Sequence, residues 1–209
     1  MRRSYDPEEA VQTLIRADVT LAGLIERAGP FEPDWKDLPG LFEALTRSII
    51  YQQLSGKAAA TIYGRVAALF PGTSTPEPAA MLAFPDDTLR SAGMSRAKVA
   101  AVKDLAEKTL SGSLPTVEAL HHMTDDEIIA CLTTVRGIGR WTVEMLLMFR
   151  MGRPDVLPAT DLGVRKGYML TYGLSDLPAP RFLLQHGEQW RPFRSVASWY
   201  MWRAVDLAK

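Results

Sequence analysis

Two features of this chain combine residue types and spacing that could do chemistry. The first is Leu132-Thr-Thr-Val-Arg-Gly137-Ile-Gly139-Arg-Trp141-Thr-Val-Glu144, where one helical pattern stops at a Gly-x-Gly turn and a second starts at once. Glycine carries little penalty for positive φ, so the backbone can turn sharply there and come close to another surface. The unpaired N–H groups that open the second helix then face outward, with the positive end of the helix dipole behind them. That arrangement suits a phosphate oxygen. The second feature is Asp161, which closes Leu157-Pro-Ala-Thr-Asp161 twenty-two residues beyond Gly139 and precedes a helix start. Its simplest role is that of an N-cap.

These residues need elements to hold them, and the sequence marks helices throughout. Thr124 and Glu127 form a Thr-x-x-Glu capping box ahead of Ile128, Ile129 and Leu132. Val143, Leu146, Leu147 and Arg150 follow the turn at helical spacing. Asp6-Pro7 opens a first helix, and a second stops at Gly29-Pro30. Leu41 to Gln53 repeats apolar residues and breaks at Ser55-Gly56; Lys57 to Phe70 continues as helix and ends at Pro71-Gly72. Short helices are predicted near Ala79–Phe84 and Asp87–Ala92, and a longer one runs from the Ser95 cap to about Leu110. After Asp161 a helix runs to about Tyr172, and two more flank Trp190-Arg-Pro192. No strand alternation or internal repeat stands out. The fold class is all-α.

At 209 residues the chain can be one sizeable domain or two small lobes. Its 47% hydrophobic and 23% charged residues are ordinary for a globular protein. No apolar run approaches a membrane span, and the Met1-Arg-Arg start lacks the apolar core of a secretory signal. The single cysteine, Cys131, rules out an intramolecular disulfide and a cysteine-ligated iron–sulfur cluster, and reads as a buried small residue. His121 and His122 lack metal-ligand spacing and read as solvated helix-end residues. Lys plus Arg equals Asp plus Glu at 24 each, so any affinity for phosphate must come from a local field. Arg90, Arg96, Lys98, Lys103 and Lys108 form one basic cluster, and Arg136, Arg140, Arg165 and Lys166 surround the turn.

Val135-Arg-Gly-Ile-Gly-Arg-Trp141 followed by Leu157-Pro-Ala-Thr-Asp161 resembles the helix-hairpin-helix plus Gly/Pro-Asp signature of DNA glycosylases, most like the 3-methyladenine DNA glycosylase II group. The likeness extends to Leu41-Phe-Glu-Ala-Leu-Thr-Arg-Ser-Ile-Ile-Tyr-Gln-Gln-Leu-Ser-Gly-Lys-Ala-Ala and to Trp190-Arg-Pro-Phe-Arg-Ser-Val-Ala-Ser-Trp-Tyr-Met-Trp202. A lone Gly-Ile-Gly turn would be weak; the blocks together, in the family's order, are strong. The resemblance implies two helical lobes with a cleft between them. One comprises residues 1–36 and 162–209; the other is a helical barrel of residues 37–161 with the hairpin at about 125–150.

The resemblance also assigns roles. Asp161 matches the catalytic carboxylate. Cleaving a base from deoxyribose builds positive charge on the sugar, which a fixed carboxylate stabilises while it orients or deprotonates the attacking water. An alkylated purine already carries positive charge and leaves without a strong general acid. Trp141 stands where lyase-competent relatives carry the lysine that attacks the sugar, so the bifunctional mechanism lacks its nucleophile. Trp141 and Trp202 are the expected pocket aromatics, stacking an electron-poor flipped base, whereas Trp190 and Trp199 are assigned to packing. Gln53 and Leu54 match the helix boundary that enters the duplex and fills the vacated stack, with Leu54 as wedge. Arg136, Gly137, Ile138, Gly139 and Arg140 are the expected phosphate grip. Main-chain oxygens of Thr133, Val135 and Gly137 match the positions that hold a monovalent cation in relatives; no other cofactor is implied.

The leading expectation is therefore a monofunctional glycosylase that excises alkylated bases from double-stranded DNA, leaving an abasic site in base excision repair. Such an enzyme is expected to act as a monomer, away from membranes, in the cytoplasm, and at the nucleoid if bacterial. A non-catalytic helix-hairpin-helix grip is the alternative, although a grip needs neither Asp161 nor pocket aromatics. A glycosylase for oxidised or mismatched bases fits less well without the lysine or a cysteine cluster; a deaminated base such as hypoxanthine stays open. Two departures from the bacterial prototype stand out. That protein carries an extra N-terminal α/β domain for which this chain has no room, and it has Asp where this chain has Thr160 before the catalytic position.

Overall fold

The computed structural model describes residues 5–38, 40–70 and 76–208. Among the described residues there are thirteen α-helices, one 3₁₀ turn and no strand, in agreement with the all-α reading. The first eight helices are α1 (Pro7–Ala17), α2 (Val19–Ala28), α3 (Leu41–Tyr51), α4 (Gly56–Ala67), α5 (Pro78–Ala83), α6 (Asp86–Ser91), α7 (Arg96–Leu110) and α8 (Val117–His122). Then come α9 (Asp125–Leu132), α10 (Arg140–Phe149), α11 (Leu162–Tyr172), α12 (Pro180–His186), the 3₁₀ turn Gly187–Trp190, and α13 (Arg194–Leu207). Helix α3 stops two residues short of the expected Gln53, and the expected stop at Pro71-Gly72 lies outside the described residues. The capping box is formed: Thr124 N–H donates to Glu127 Oε2 at 2.7 Å, and Glu127 N–H to Thr124 Oγ1 at 3.3 Å.

The chain divides into two compact units. One gathers the segments up to Asp37 and from Glu144 onward; the other spans Leu38–Val143. The division falls inside α10, so residues 144–161 group with the chain ends and not with the barrel segment expected from sequence.

In the terminal unit, Leu14 of α1, Leu21 and Leu24 of α2, Val164 and Tyr168 of α11, and Val196, Tyr200 and Met201 of α13 make one buried cluster. Each such leucine stabilises the fold by about 1.5–3 kcal/mol. A single carboxylate organises this core. Asp18 is 7% exposed and sits between α1 and α2, where its Oδ1 caps α2 by accepting from Thr20 and Leu21 N–H, both at 3.0 Å. Its Oδ2 accepts from Tyr172 Oη at 2.5 Å and from the Trp190 indole at 2.9 Å, with His186 and Gln189 each at 3.2 Å. Desolvation pushes the Asp18 pKa up, but hydrogen bonds from Tyr172, Trp190, Leu21 and His186 together outweigh it and hold the carboxyl below its ordinary value. Trp190 is thus a packing residue, as expected, with its one polar atom satisfied.

In the central unit, Leu38–Val143, α7 packs against α3, α5 and α6, burying Val99, Val102, Leu105 and Ala106. The expected basic cluster is largely turned to internal use. Arg90 pairs with Asp87 at 3.1 Å, Lys103 with Asp86 at 2.5 Å, and Lys108 with Asp104 at 2.6 Å. Lys98 donates to the Ile50 and Gln52 carbonyls at 2.7 and 2.9 Å. Four of the five cations of that cluster therefore answer local acids or a helix end. Cys131 is only partly buried, a correction; His121 and His122 are exposed in the last turn of α8, as expected.

Candidate active site

The hairpin is built from α9, a tight turn and α10. Gly137 takes φ +78°, a conformation other side chains rarely adopt, and a Cβ there would lie 3.2 Å from Ala101 Cβ. Gly139 is different: a Cβ would meet nothing within 4 Å, so the interior of the protein does not demand a glycine there. Its carbonyl accepts from Thr142 and Val143 N–H at 3.0 and 3.3 Å, which starts α10. Arg136, Gly137, Gly139, Arg140 and Trp141 are exposed, whereas the Ile138 side chain is buried and its N–H donates to the Val135 carbonyl. Asp104 receives the Arg136 N–H at 2.7 Å, and Arg140 approaches Asp126 at 3.8 Å. Trp141 is 46% exposed, an unusual amount of open indole for a residue in an ordered helix.

The three carbonyls matched to a cation lie on and just after the C-terminal end of α9. The Val135 oxygen accepts from Ile138 N–H at 3.0 Å, and the Gly137 oxygen accepts from the Gln52 side-chain amide at 2.9 Å. Thr133 is the C-cap of α9, its hydroxyl donating to the Ile129 carbonyl at 2.7 Å.

The turn between α3 and α4 belongs to the same unit. Gln53 has φ +58°, the one positive φ among the described non-glycine residues, and is exposed. Leu54 follows, 38% exposed, and Ser55 caps α4 by accepting from Ala58 N–H at 3.4 Å. An apolar side chain at the tip of a polar, capped turn has little packing reason to be there.

Asp161 lies in the terminal unit. It is the N-cap of α11 as its bland reading required, with Oδ1 accepting from Val164 N–H at 2.8 Å. The same oxygen accepts from the Trp202 indole Nε1–H at 2.8 Å. So two residues of the sequence reading, forty-one positions apart, are brought into direct contact. The contact depends on α11 lying almost bare against α13. A Cβ at Gly167 would fall 1.8 Å from the Met201 carbonyl oxygen; one at Gly163 would fall 2.6 Å from Trp202 Cδ1 and 3.1 Å from Asp161 Oδ1. Phe149 packs against the indole in a tilted arrangement, ring centroids 5.7 Å apart. The segment before Asp161 is pinned as well. Ser195 Oγ accepts from Val156 N–H at 2.9 Å and donates to the Arg153 carbonyl at 2.7 Å, while Arg194 Nε holds Asp155 at 2.7 Å. Sequence reasoning missed Gly163, Gln52 and Asp104, and placed Lys98 in a basic cluster without its carbonyl contacts. Only Gly163 left a sequence signal, a glycine inside the first turn of a helix.

A model of the HhH-GPD superfamily of base excision DNA repair proteins matches residues 46–192. The chain belongs to that family. Over 97% of this helix-hairpin-helix chain and 92% of the relative, it is 36% identical to DNA-3-methyladenine glycosylase 1 of Schizosaccharomyces pombe. The solved structure of a 3-methyladenine DNA glycosylase from that yeast, in complex with abasic DNA, matches 96% of this chain and 98% of its own at a TM-score of 0.85. A DNA-3-methyladenine glycosidase from Bacillus halodurans, also 36% identical, covers all of this chain with 94% of its own at a TM-score of 0.86.

Proposed function

We propose that this chain is a monofunctional DNA glycosylase that flips out and hydrolyses alkylated, 3-methyladenine-type bases in base excision repair. The observation that carries the reading is the seat of Asp161: a carboxylate fixed by a helix-start N–H and an indole N–H, in a chain of the glycosylase family. A carboxylate held by preset donors needs no reorganisation as positive charge develops on the sugar, and this is where electrostatic catalysis is strongest. It also aligns water for attack at the sugar carbon as the base departs. A passive DNA grip would need neither the carboxylate nor its indole partner.

In this reading Trp141 and Trp202 are the aromatic residues whose electron-rich indole faces favour cationic bases. With an indole at position 141, no amine stands where the family's lyases carry one, so the products are a free base and an intact abasic strand. The backbone at Gly137–Arg140 takes phosphate, and Gln53 and Leu54 enter the duplex. The chain acts as a monomer on double-stranded DNA in the cytoplasm, at the nucleoid in a bacterial cell. The Thr133, Val135 and Gly137 carbonyls are hard oxygen donors at the negative end of α9, and the two whose hydrogen bonds are given above each have a second lone pair, so the set fits a monovalent cation. These carbonyls would hold the ion, which would supply positive charge favourable to a phosphate.

Release of free base from a panel of defined lesion duplexes tests the reading. Release of 3-methyladenine or 7-methylguanine without strand cleavage supports it; release of none, or a borohydride-trapped adduct, overturns it.

A further inference from the structure

Helix α7 carries Lys98, Ala101 and Asp104 at three-residue intervals, which places them along one face over successive turns. Each of the three meets one of the two exposed turns. Lys98 donates to the Ile50 and Gln52 carbonyls, at the end of α3 where the Leu54 turn begins. Ala101 is the residue against which Gly137 is packed, 3.2 Å from where a Cβ would be. Asp104 accepts the Arg136 N–H at 2.7 Å and is itself held by Lys108. The circuit closes across the top, where the Gln52 side-chain amide donates to the Gly137 carbonyl at 2.9 Å.

We propose that this face of α7, closed by Gln52, sets the Leu54 turn at a fixed offset from the hairpin turn, which makes Gln52 and Lys98 positioning residues for opening the duplex. The inference rests on the reading of the two turns as wedge and phosphate grip. The physical need is plain. A wedge must hold its place against an unstacking cost of a few kcal/mol, and a turn free to swing would retreat from the duplex. The Leu54 turn is also strained at Gln53, and a strained residue persists only where its neighbours over-determine it. Lys98 fixes the carbonyl just before Gln53, the Ser55 cap fixes the chain after Leu54, and the Gln52 amide ties the whole turn to the backbone that would sit on phosphate. The Lys98 ammonium is engaged by these two carbonyls, and burial lowers its pKa. A register set in this way lets the grip determine how deep the wedge enters.

The test uses Gln52→Met and Lys98→Met in the full chain; each keeps an unbranched stem and removes the donor. Melting temperature, affinity for an undamaged duplex and single-turnover base release are measured, the last with the lesion opposite its normal partner and opposite a mismatched base. Loss of one such hydrogen bond is worth about 0.5–1.5 kcal/mol, so release from the paired lesion should fall about two- to tenfold in the Gln52 variant. The fall should be smaller at the mismatch, where opening is easier, with undamaged-duplex affinity and melting temperature nearly unchanged. Combined with Leu54→Ala, Gln52→Met should cost nothing further, because it acts through that side chain. Equal falls on both substrates, a fall matched by the unfolded fraction, or full additivity with Leu54→Ala would each overturn the proposal. If wild-type protein releases no base from any substrate, the functional reading fails; if it does and both variants keep the wild-type ratio of paired to mismatched rates, the positioning device alone fails.

Discussion

The two compact units hold their functional groups by different means. In the terminal unit, Asp161 is fixed by close packing: two glycines on α11 let α13 bring an indole onto the carboxylate, and a polar network at Asp18 anchors the surrounding helices. In the central unit, the hairpin turn and the Leu54 turn stand exposed and are held by a few polar contacts from α7 and Gln52. The first construction suits a charge that must not move. The second suits surfaces that must meet a large partner and still keep their spacing. Chemistry and duplex opening should therefore respond separately to mutation.

The largest expected loss of activity is at the carboxylate. Asp161→Asn keeps an equally good N-cap, so the fold should survive while single-turnover base release falls about 10²–10³-fold. Near-wild-type release would remove Asp161 from the chemistry.

A loss of stability of similar size is expected at Asp18. Asp18→Ala removes the α2 cap and leaves the buried Tyr172 and Trp190 donors without an acceptor, which should cost about 2–5 kcal/mol in chemical denaturation. Because the folded-state pKa of Asp18 is depressed, its contribution is fully present above the ordinary carboxylate pKa and is lost as pH falls through the lower folded value. Acid unfolding should accordingly narrow the gap between wild type and Asp18→Ala. A gap unchanged down to pH 2 would contradict the role given to this network.

Trp202→Phe sharpens the comparison from the other side. It keeps an aromatic ring and removes the N–H on Asp161, a hydrogen bond to a charged group worth about 1.5–3 kcal/mol. The fall, about ten- to a hundredfold, should be in kcat with KM little changed. A change confined to KM would make Trp202 a stacking surface only.

The central unit should answer with binding and opening. Gly139→Asp has room inside the protein but adds bulk and negative charge where phosphate is expected, so fluorescence anisotropy should show weaker binding of lesion and undamaged duplex alike. Equal affinity would show that the hairpin is not the grip. Leu54→Ala should lower melting temperature far less than a core leucine-to-alanine change, which costs about 2–5 kcal/mol. Excision from paired lesions should drop more than from mismatched ones.

Much of this was legible in the sequence because it is local. The capping box at Thr124, the hairpin glycines and the cap at Asp161 are signals within a few residues, and each element formed where its punctuation lay. What sequence hid was tertiary. Lysines along α7 look like a solvated basic stripe, and only the fold shows Lys98 reaching back to the end of α3 and Lys103 and Lys108 answering neighbouring acids. The spacing could name Gly137 and Gly139 as a pair, but not that one is demanded by Ala101 and backbone φ while the other faces open space. Nor could it show that Trp202 touches Asp161, because a glycine at 163 reads as a weak helix position until α13 is laid against it.

The central claim, that opening the duplex and breaking the bond are built separately, is tested most directly by 2-aminopurine fluorescence beside a lesion on mixing with Asp161→Asn. The account predicts a fluorescence rise of wild-type size and rate with almost no base released. A variant that binds the duplex but gives no rise would show that the carboxylate is needed for opening as well, and the separation would be lost.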